Sequence, residues 1–105
     1  MSFYKSPKDE WTHQQTRLRC KHTAEWRRHV AEQEGVRNTL LIRQEQERQQ
    51  CMGDLLLLRD QQNQALARLQ QYNNQTRQAL RTRQAAEMAE LRQRIKAARR
   101  GRDLA

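Results

Sequence analysis

The residues of this chain that could hold a metal or act as nucleophiles lie close together near the N-terminal end. One lysine separates Cys20 from His22, while His13 lies seven residues before Cys20 and His29 seven residues after His22. On a helix, Cys20 and His22 point in nearly opposite directions, and no second cysteine lies within the spacing of a zinc site. We therefore predict no metal site and no bound cofactor, and we assign these residues to a polar helix face.

Catalysis by a Cys–His pair would also need a concave site that excludes water. Leu, Ile, Val and Phe account for only 17 of the 105 residues, 31% of the residues are charged, and the mean hydropathy is −1.24. A small chain of this composition has too few apolar side chains to enclose such a site. We therefore predict that the protein is not an enzyme and takes no small-molecule substrate.

The same composition favours helices. The chain contains one proline and three glycines, and it is rich in Arg, Gln, Glu, Leu and Ala, which are good helix formers. The predicted fold class is all-α, with extended long helices that are partly coiled-coil-like and without an independent globular core.

Turn and capping residues divide the predicted helices. Ser6 can cap a helix that begins at Pro7, and Gly35 can end it. The predicted segments are a leader, a first basic helix with tryptophan anchors, a break, a long second helix and a tail: 1–6, 7–34, 35–38, 39–100 and 101–105.

Leucines of the second helix recur every eleven residues, at Leu58, Leu69, Leu80 and Leu91. This repeat corresponds to about 3.67 residues per turn and predicts a nearly straight or slightly right-handed apolar stripe. The stripe is narrow, with one or two apolar residues per three turns. It therefore suits a groove or a flat surface better than a leucine-zipper dimer.

Positive charge concentrates in the C-terminal part. Residues 61–105 hold 10 basic and 3 acidic side chains, against 11 and 9 in residues 1–60. No acid occurs between Gln61 and Ala86, and arginine, which contacts carboxylates and phosphates in a bidentate manner, outnumbers lysine by 17 to 4. We predict that this part docks on an acidic partner, through four arginines of the acid-free stretch: Arg68, Arg77, Arg81 and Arg83.

Aromatic side chains on a polar helix are candidate anchors. Trp11, Trp26 and Tyr72 would each bury a large area on docking, as binding hot spots do. The tryptophans could equally pack on the second helix of a hairpin. The aromatic residues are not interleaved in the way that stacks single-stranded bases.

Signals for membranes and secretion are not evident. The longest apolar run, Leu55 to Leu58, is far shorter than the roughly 18 residues of a membrane span. The widely separated Cys20 and Cys51 suit a reducing compartment. We expect a cytoplasmic protein without a membrane partner.

As a whole the chain resembles the small helical microtubule inner proteins of ciliary doublets. The resemblance is carried by the leader Phe3-Tyr4-Lys5, by Glu25-Trp26-Arg27-Arg28 and by the Gln/Arg/Leu-rich segments Gln70-Gln71-Tyr72 and Arg77-Gln78-Ala79-Leu80. It implies a non-enzymatic strut of the cytoskeleton, bound to acidic tubulin and neighbouring helical proteins in the cilium axoneme. A similar composition belongs to extensions of ribosomal proteins, which implies RNA binding in a mitochondrial ribosome as the alternative.

Overall fold

The structure is a computed structural model that describes the backbone of residues 7–103 and the side chains of residues 9–101. It contains two long helices, α1 (Pro7–Gln49) and α2 (Leu55–Asp103), and the described residues form no strand. The predicted all-α fold with long helices is confirmed. The leader 1–6 with its cap at Ser6, and the last residues of the tail, lie outside the described part of the chain.

The predicted break at residues 35–38 is wrong, because α1 continues through Gly35. The hydroxyl of Thr39 donates to the carbonyl of Gly35 at 3.0 Å, one helical turn earlier. An exposed glycine inside a helix costs only about 1 kcal/mol relative to alanine. A single glycine without a following proline or cap is therefore insufficient to end this helix, and the predicted bounds 7–34 and 39–100 do not hold.

The chain leaves the helical conformation at residues 50–54 instead. Gly53 precedes Asp54, whose Oδ1 accepts hydrogen bonds from the amides of Leu56 (3.0 Å) and Leu57 (3.1 Å). These two amides belong to the first turn of α2 and have no partner within the helix. Asp54 is thus the cap of α2, and the Gly–Asp pair separates the two helices.

At its C-terminal end α2 continues beyond the predicted stop. The helix includes Arg100, Gly101 and Asp103, so the boundary predicted after residue 100 lies three residues too early. A side-chain carbon added at Gly101 would meet nothing within 4 Å. This glycine therefore lies on an open helix surface and does not form a C-terminal cap.

The helices form two compact units. The first unit combines residues 1–26 with 80–105, and the second consists of residues 27–79. Within each unit a segment of α1 packs against a segment of α2 that runs in the opposite direction. Hydrogen bonds that cross between the helices define this pairing.

In the second unit, glutamine side chains make these crossing bonds. Gln44 Nε2 donates to the carbonyl of Gln62 at 3.0 Å, and Gln62 Nε2 donates back to the carbonyl of Gln44 at 2.9 Å. Gln33 Nε2 donates to the carbonyl of Asn73 at 3.1 Å. These three glutamines are 4–7% exposed, so polar side chains occupy the centre of this helix pair.

In the first unit, one glutamine makes a crossing hydrogen bond of the same kind, and apolar side chains are buried nearer the C-terminal end of α2. Gln84 Nε2 donates to the carbonyl of His22 at 2.9 Å. Leu91 and Ile95 are buried and are the core aliphatic side chains of the described residues. Leu18 of α1 and Leu91 line one open groove of this unit.

The eleven-residue repeat predicted for α2 coincides with the side of the helix that packs on α1. Its leucines and the positions four residues later are all buried or half-buried: Leu58, Leu69, Leu80, Leu91, Gln62, Asn73, Gln84 and Ile95. The stripe is therefore covered within each unit by α1 of the same chain. The same spacing occurs in α1, at Trp11, His22, Gln33 and Gln44, all of them half-buried or buried.

Little apolar surface is buried. No described side chain is fully buried, and several large apolar residues of the second unit remain exposed. The predicted lack of a globular core holds for the described part of the chain. Neither helix contains a segment that is both long and apolar enough to cross a membrane.

Candidate functional site

In the first unit, Trp26 and Arg81 form a contact between the two helices. The guanidinium carbon of Arg81 lies 4.2 Å from the centre of the Trp26 ring, within the range of a cation–π interaction. Trp26 is half-buried, and Arg81 is exposed apart from this contact. Both were predicted to bind a partner, and the structure shows that each already has a neighbour within the chain.

Arg83 lies between two carboxylates. It donates to Glu25 Oε2 and to Glu87 Oε1, and these hydrogen bonds, first the one to Glu25, raise the pKa of Arg83 above its ordinary value. A hydrogen bond from His22, followed by one from Arg83, lowers the pKa of Glu87 below its ordinary value. Arg83 is thus an intramolecular bridge between α1 and α2.

His22, Glu25 and Glu87 converge beside this bridge. His22 Nε2 lies 3.1 Å from Glu87 Oε2, and one ligand atom from each of the three residues lies within 4.8 Å of the others. The His22 side chain is 12% exposed, and Glu25 Oε1 is buried without a hydrogen-bond partner among the described residues. Sequence reasoning missed this cluster, because 65 residues separate His22 from Glu87 and only the helix pairing joins them.

Arg77 also has a partner within the chain. In the second unit its Nε donates to Gln33 Oε1 at 2.5 Å. The amide of the same Gln33 donates to Thr76 Oγ1 at 2.8 Å. Arg77 therefore stabilises the helix pair, and its guanidinium is half-buried beside α1.

Arg68 and Tyr72 are placed differently. They lie four residues apart on α2, so they neighbour each other on one helix face, and Tyr72 is 63% exposed. Arg68 is exposed and makes no ion pair or hydrogen bond with the described residues. We call this surface the Arg68–Tyr72 face; its exposed members are Gln61, Gln64, Arg68, Tyr72 and Gln75.

Trp11 is the remaining predicted anchor. It is half-buried in the first unit, eleven residues before His22, in the series of α1 residues that packs on α2. The alternative in which the tryptophans pack on a second helix agrees with this position and with the Trp26–Arg81 contact. Neither observation tests whether Trp11 or Trp26 also contacts another protein.

Several large apolar side chains that were not predicted as binding residues are also exposed. They lie around the turn between the helices and on α1 of the second unit: Met52, Leu56, Leu57, Val36 and Ile42. Exposed large apolar side chains can take part in contacts between proteins.

Comparison with known proteins gives no relative: no protein-family model, curated protein or solved structure matches this chain. Function must therefore be inferred from the side chains. The Arg68–Tyr72 face can recognise an acidic surface, and the His22–Glu25–Glu87 cluster has the donor atoms of a metal site.

Proposed function

We propose that this protein is a non-enzymatic structural protein that docks along an acidic protein assembly. The assembly that fits the sequence resemblance is the tubulin lattice of axonemal microtubules. The Arg68–Tyr72 face carries the proposal, because it combines an un-neutralised guanidinium with an exposed aromatic ring. The adjacent acid, Asp60, accepts a hydrogen bond from Gln64 at 3.0 Å and does not contact Arg68.

The chemistry of this face suits carboxylate-rich protein surfaces. Arginine forms bidentate hydrogen bonds with carboxylates, and tyrosine buries a large ring while its hydroxyl still hydrogen-bonds. The surrounding glutamines can both donate and accept hydrogen bonds. Arg68 and Tyr72 thus supply the charged and the aromatic part of a binding hot spot.

Net charge supports the same class of partner. The segments of the first unit hold 13 basic and 6 acidic residues, and the second unit holds 8 basic and 6 acidic residues. This excess of positive charge speeds the approach to an acidic surface, while specific contacts determine where the protein stays bound. The positive charge was predicted for residues 61–105. In the first unit, residues 1–26 pair with residues 80–105 and also carry part of the positive charge.

The shape of the surface supports a binding role over catalysis. The groove lined by Leu18 and Leu91 is open to solvent, and no described side chain is fully buried. Catalysis depends on groups held in a site that excludes water. A helix pair of this kind presents long side-chain faces and is suited to contacts with another protein.

Cosedimentation of the full chain with polymerised tubulin tests the proposal. We expect Tyr72→Ala to weaken binding by about 2 kcal/mol, as hot-spot aromatics do. Arg68→Gln should cost about 1 kcal/mol or less and lose its effect at high salt. Arg59→Gln is the matched control, because Arg59 is also exposed and lies nine residues from Arg68, on the opposite side of α2.

Two results would contradict the proposal. Equal losses in Arg59→Gln and Arg68→Gln, with no loss in Tyr72→Ala, would mean that only diffuse charge attracts the polymer. Salt-dependent binding to a mixed-sequence RNA oligonucleotide, in preference to tubulin, would favour an RNA-binding role in a ribosome-like particle. Point variants are preferable to truncations at residue 60, because both units contain paired segments of α1 and α2.

A further inference from the structure

We propose that His22, Glu25 and Glu87 form a binding site for a divalent first-row transition-metal ion such as Zn²⁺. The site lies within the first unit and joins α1 to α2. It is independent of the proposed docking function, since the Arg68–Tyr72 face belongs to the second unit.

Helix geometry brings the donor atoms together. His22 and Glu25 lie three residues apart on α1 and therefore on one face, and Glu87 faces them from α2. The hydrogen bond from Gln84 to the carbonyl of His22, at 2.9 Å, fixes the register of the two helices at this position. The ligand residues thus lie on two paired helices, and their placement does not depend on a loop.

The distances are close to those that a metal requires. In a tetrahedral zinc site the ligand atoms are roughly 3.3 Å apart, given bond lengths of about 2.0–2.1 Å. His22 Nε2 and Glu87 Oε2 are already 3.1 Å apart, and all three ligand atoms lie within 4.8 Å of one another. Side-chain rotations that shift the ligand atoms by about an ångström would bring all three within bonding distance of one ion. A water molecule would be the fourth ligand.

The carboxylate oxygens divide into an inner and an outer pair. Arg83 occupies Glu25 Oε2 and Glu87 Oε1. The other two oxygens are Glu87 Oε2, which contacts His22 and lies 3.9 Å from Lys21 Nζ, and Glu25 Oε1, which is buried and accepts no hydrogen bond among the described residues. The ion would supply the partner that Glu25 Oε1 lacks, while Arg83 orients both carboxylates from outside.

The donor set determines which ions fit. An imidazole nitrogen favours zinc and its first-row neighbours, whereas magnesium and calcium prefer oxygen ligands alone. Two carboxylates and one imidazole are a sufficient protein ligand set for a four-coordinate site in which water is the fourth ligand.

Cobalt titration of the full chain, followed by visible absorption, tests the site. We expect one Co²⁺ per chain with the absorption of a tetrahedral complex, and competition by Zn²⁺. His22→Ala and Glu25→Gln should each lower the association constant by about tenfold or more. The matched controls are His13→Ala, an exposed histidine, and Glu90→Gln, an exposed acid that pairs with Arg94 at 2.7 Å; both should bind cobalt as the wild type does.

Glu25→Gln keeps the shape of the side chain and so separates loss of a ligand from loss of folding. Zinc should raise the melting temperature of the wild-type chain and leave that of Glu25→Gln unchanged. The proposal is overturned if the wild-type chain binds no cobalt, if His22→Ala binds it equally well, or if His13→Ala produces the same loss as His22→Ala.

Discussion

The reciprocal bonds between Gln44 and Gln62 predict a specific pattern of stability. Replacing Gln62 with leucine removes the hydrogen bond from its amide to the carbonyl of Gln44 and its side-chain bonds with Glu47 and Arg48. The bond from Gln44 to the backbone carbonyl of residue 62 can still form. Each neutral hydrogen bond contributes about 0.5–1.5 kcal/mol and each one to a charged group about 1.5–3 kcal/mol, and the burial of the leucine offsets part of this loss. We expect Gln62→Leu to lower the free energy of unfolding by about 2 kcal/mol, although leucine is the more hydrophobic residue.

The double variant Gln44→Leu/Gln62→Leu should recover most or all of that loss. The two leucines can then pack against each other, and the carbonyls that lose their crossing bonds still accept the hydrogen bonds of their own helices. Gln61→Leu is the control: Gln61 is the exposed neighbour of Gln62, and exposed substitutions usually change stability by less than about 0.5 kcal/mol.

Urea unfolding followed by circular dichroism at 222 nm, in buffer with a stabilising osmolyte, measures these differences. A favourable coupling energy between the two substitutions supports direct contact of the two side chains. If Gln62→Leu is as stable as Gln61→Leu, or if the two substitutions are additive, the described pairing of these helices is incorrect.

Three other predictions follow from the structure. Without a partner the chain should melt broadly, because its few buried apolar side chains offset little of the backbone entropy; a sharp calorimetric transition at micromolar concentration would contradict this. Trp26→Ala should weaken partner binding by about 2 kcal/mol or more at both low and high salt, whereas the smaller effect of Arg68→Gln should fade with salt; the reverse order in titrations would indicate electrostatic binding. A hydrogen bond from Arg48 holds the pKa of Glu45 below its ordinary value of 4.5. The stabilisation by this pair should therefore be complete above that value and disappear as the pH falls through the lowered pKa. Comparison of Glu45→Gln with the wild type in acid unfolding tests this, and a stability difference that persists in acid would contradict it.

The long helices and the inward face of α2 could be predicted from sequence because apolar residues mark that face. Leu58, Leu69, Leu80 and Leu91 recur at an interval that no strand or heptad would give. The matching series in α1 could not be predicted, because its central members Gln33 and Gln44 are usually surface residues. Their burial depends on hydrogen bonds to backbone groups of the opposite helix, which become identifiable only when the pairing is known.

The predicted docking arginines show the same limitation. Charge and spacing place Arg68, Arg77, Arg81 and Arg83 in one acid-free stretch, and nothing in that stretch distinguishes them. The carboxylates that contact Arg83 include Glu25, which is distant in sequence. Only the pairing of the helices shows which of these arginines stabilise the fold, and it leaves Arg68 available to another molecule.

The interval between the crossing glutamine bonds defines how this protein could change length during evolution. In α1 the bonded positions His22, Gln33 and Gln44 are eleven residues apart, and their partners in α2 are also eleven apart. Losing eleven residues from α1 and eleven from α2 would remove one bonded position from each helix. The remaining bonded positions would keep their partners. Losing eleven residues from one helix alone leaves roughly 16 Å of the other without a partner. Insertions and deletions in related chains should therefore occur in matched pairs, one in each helix.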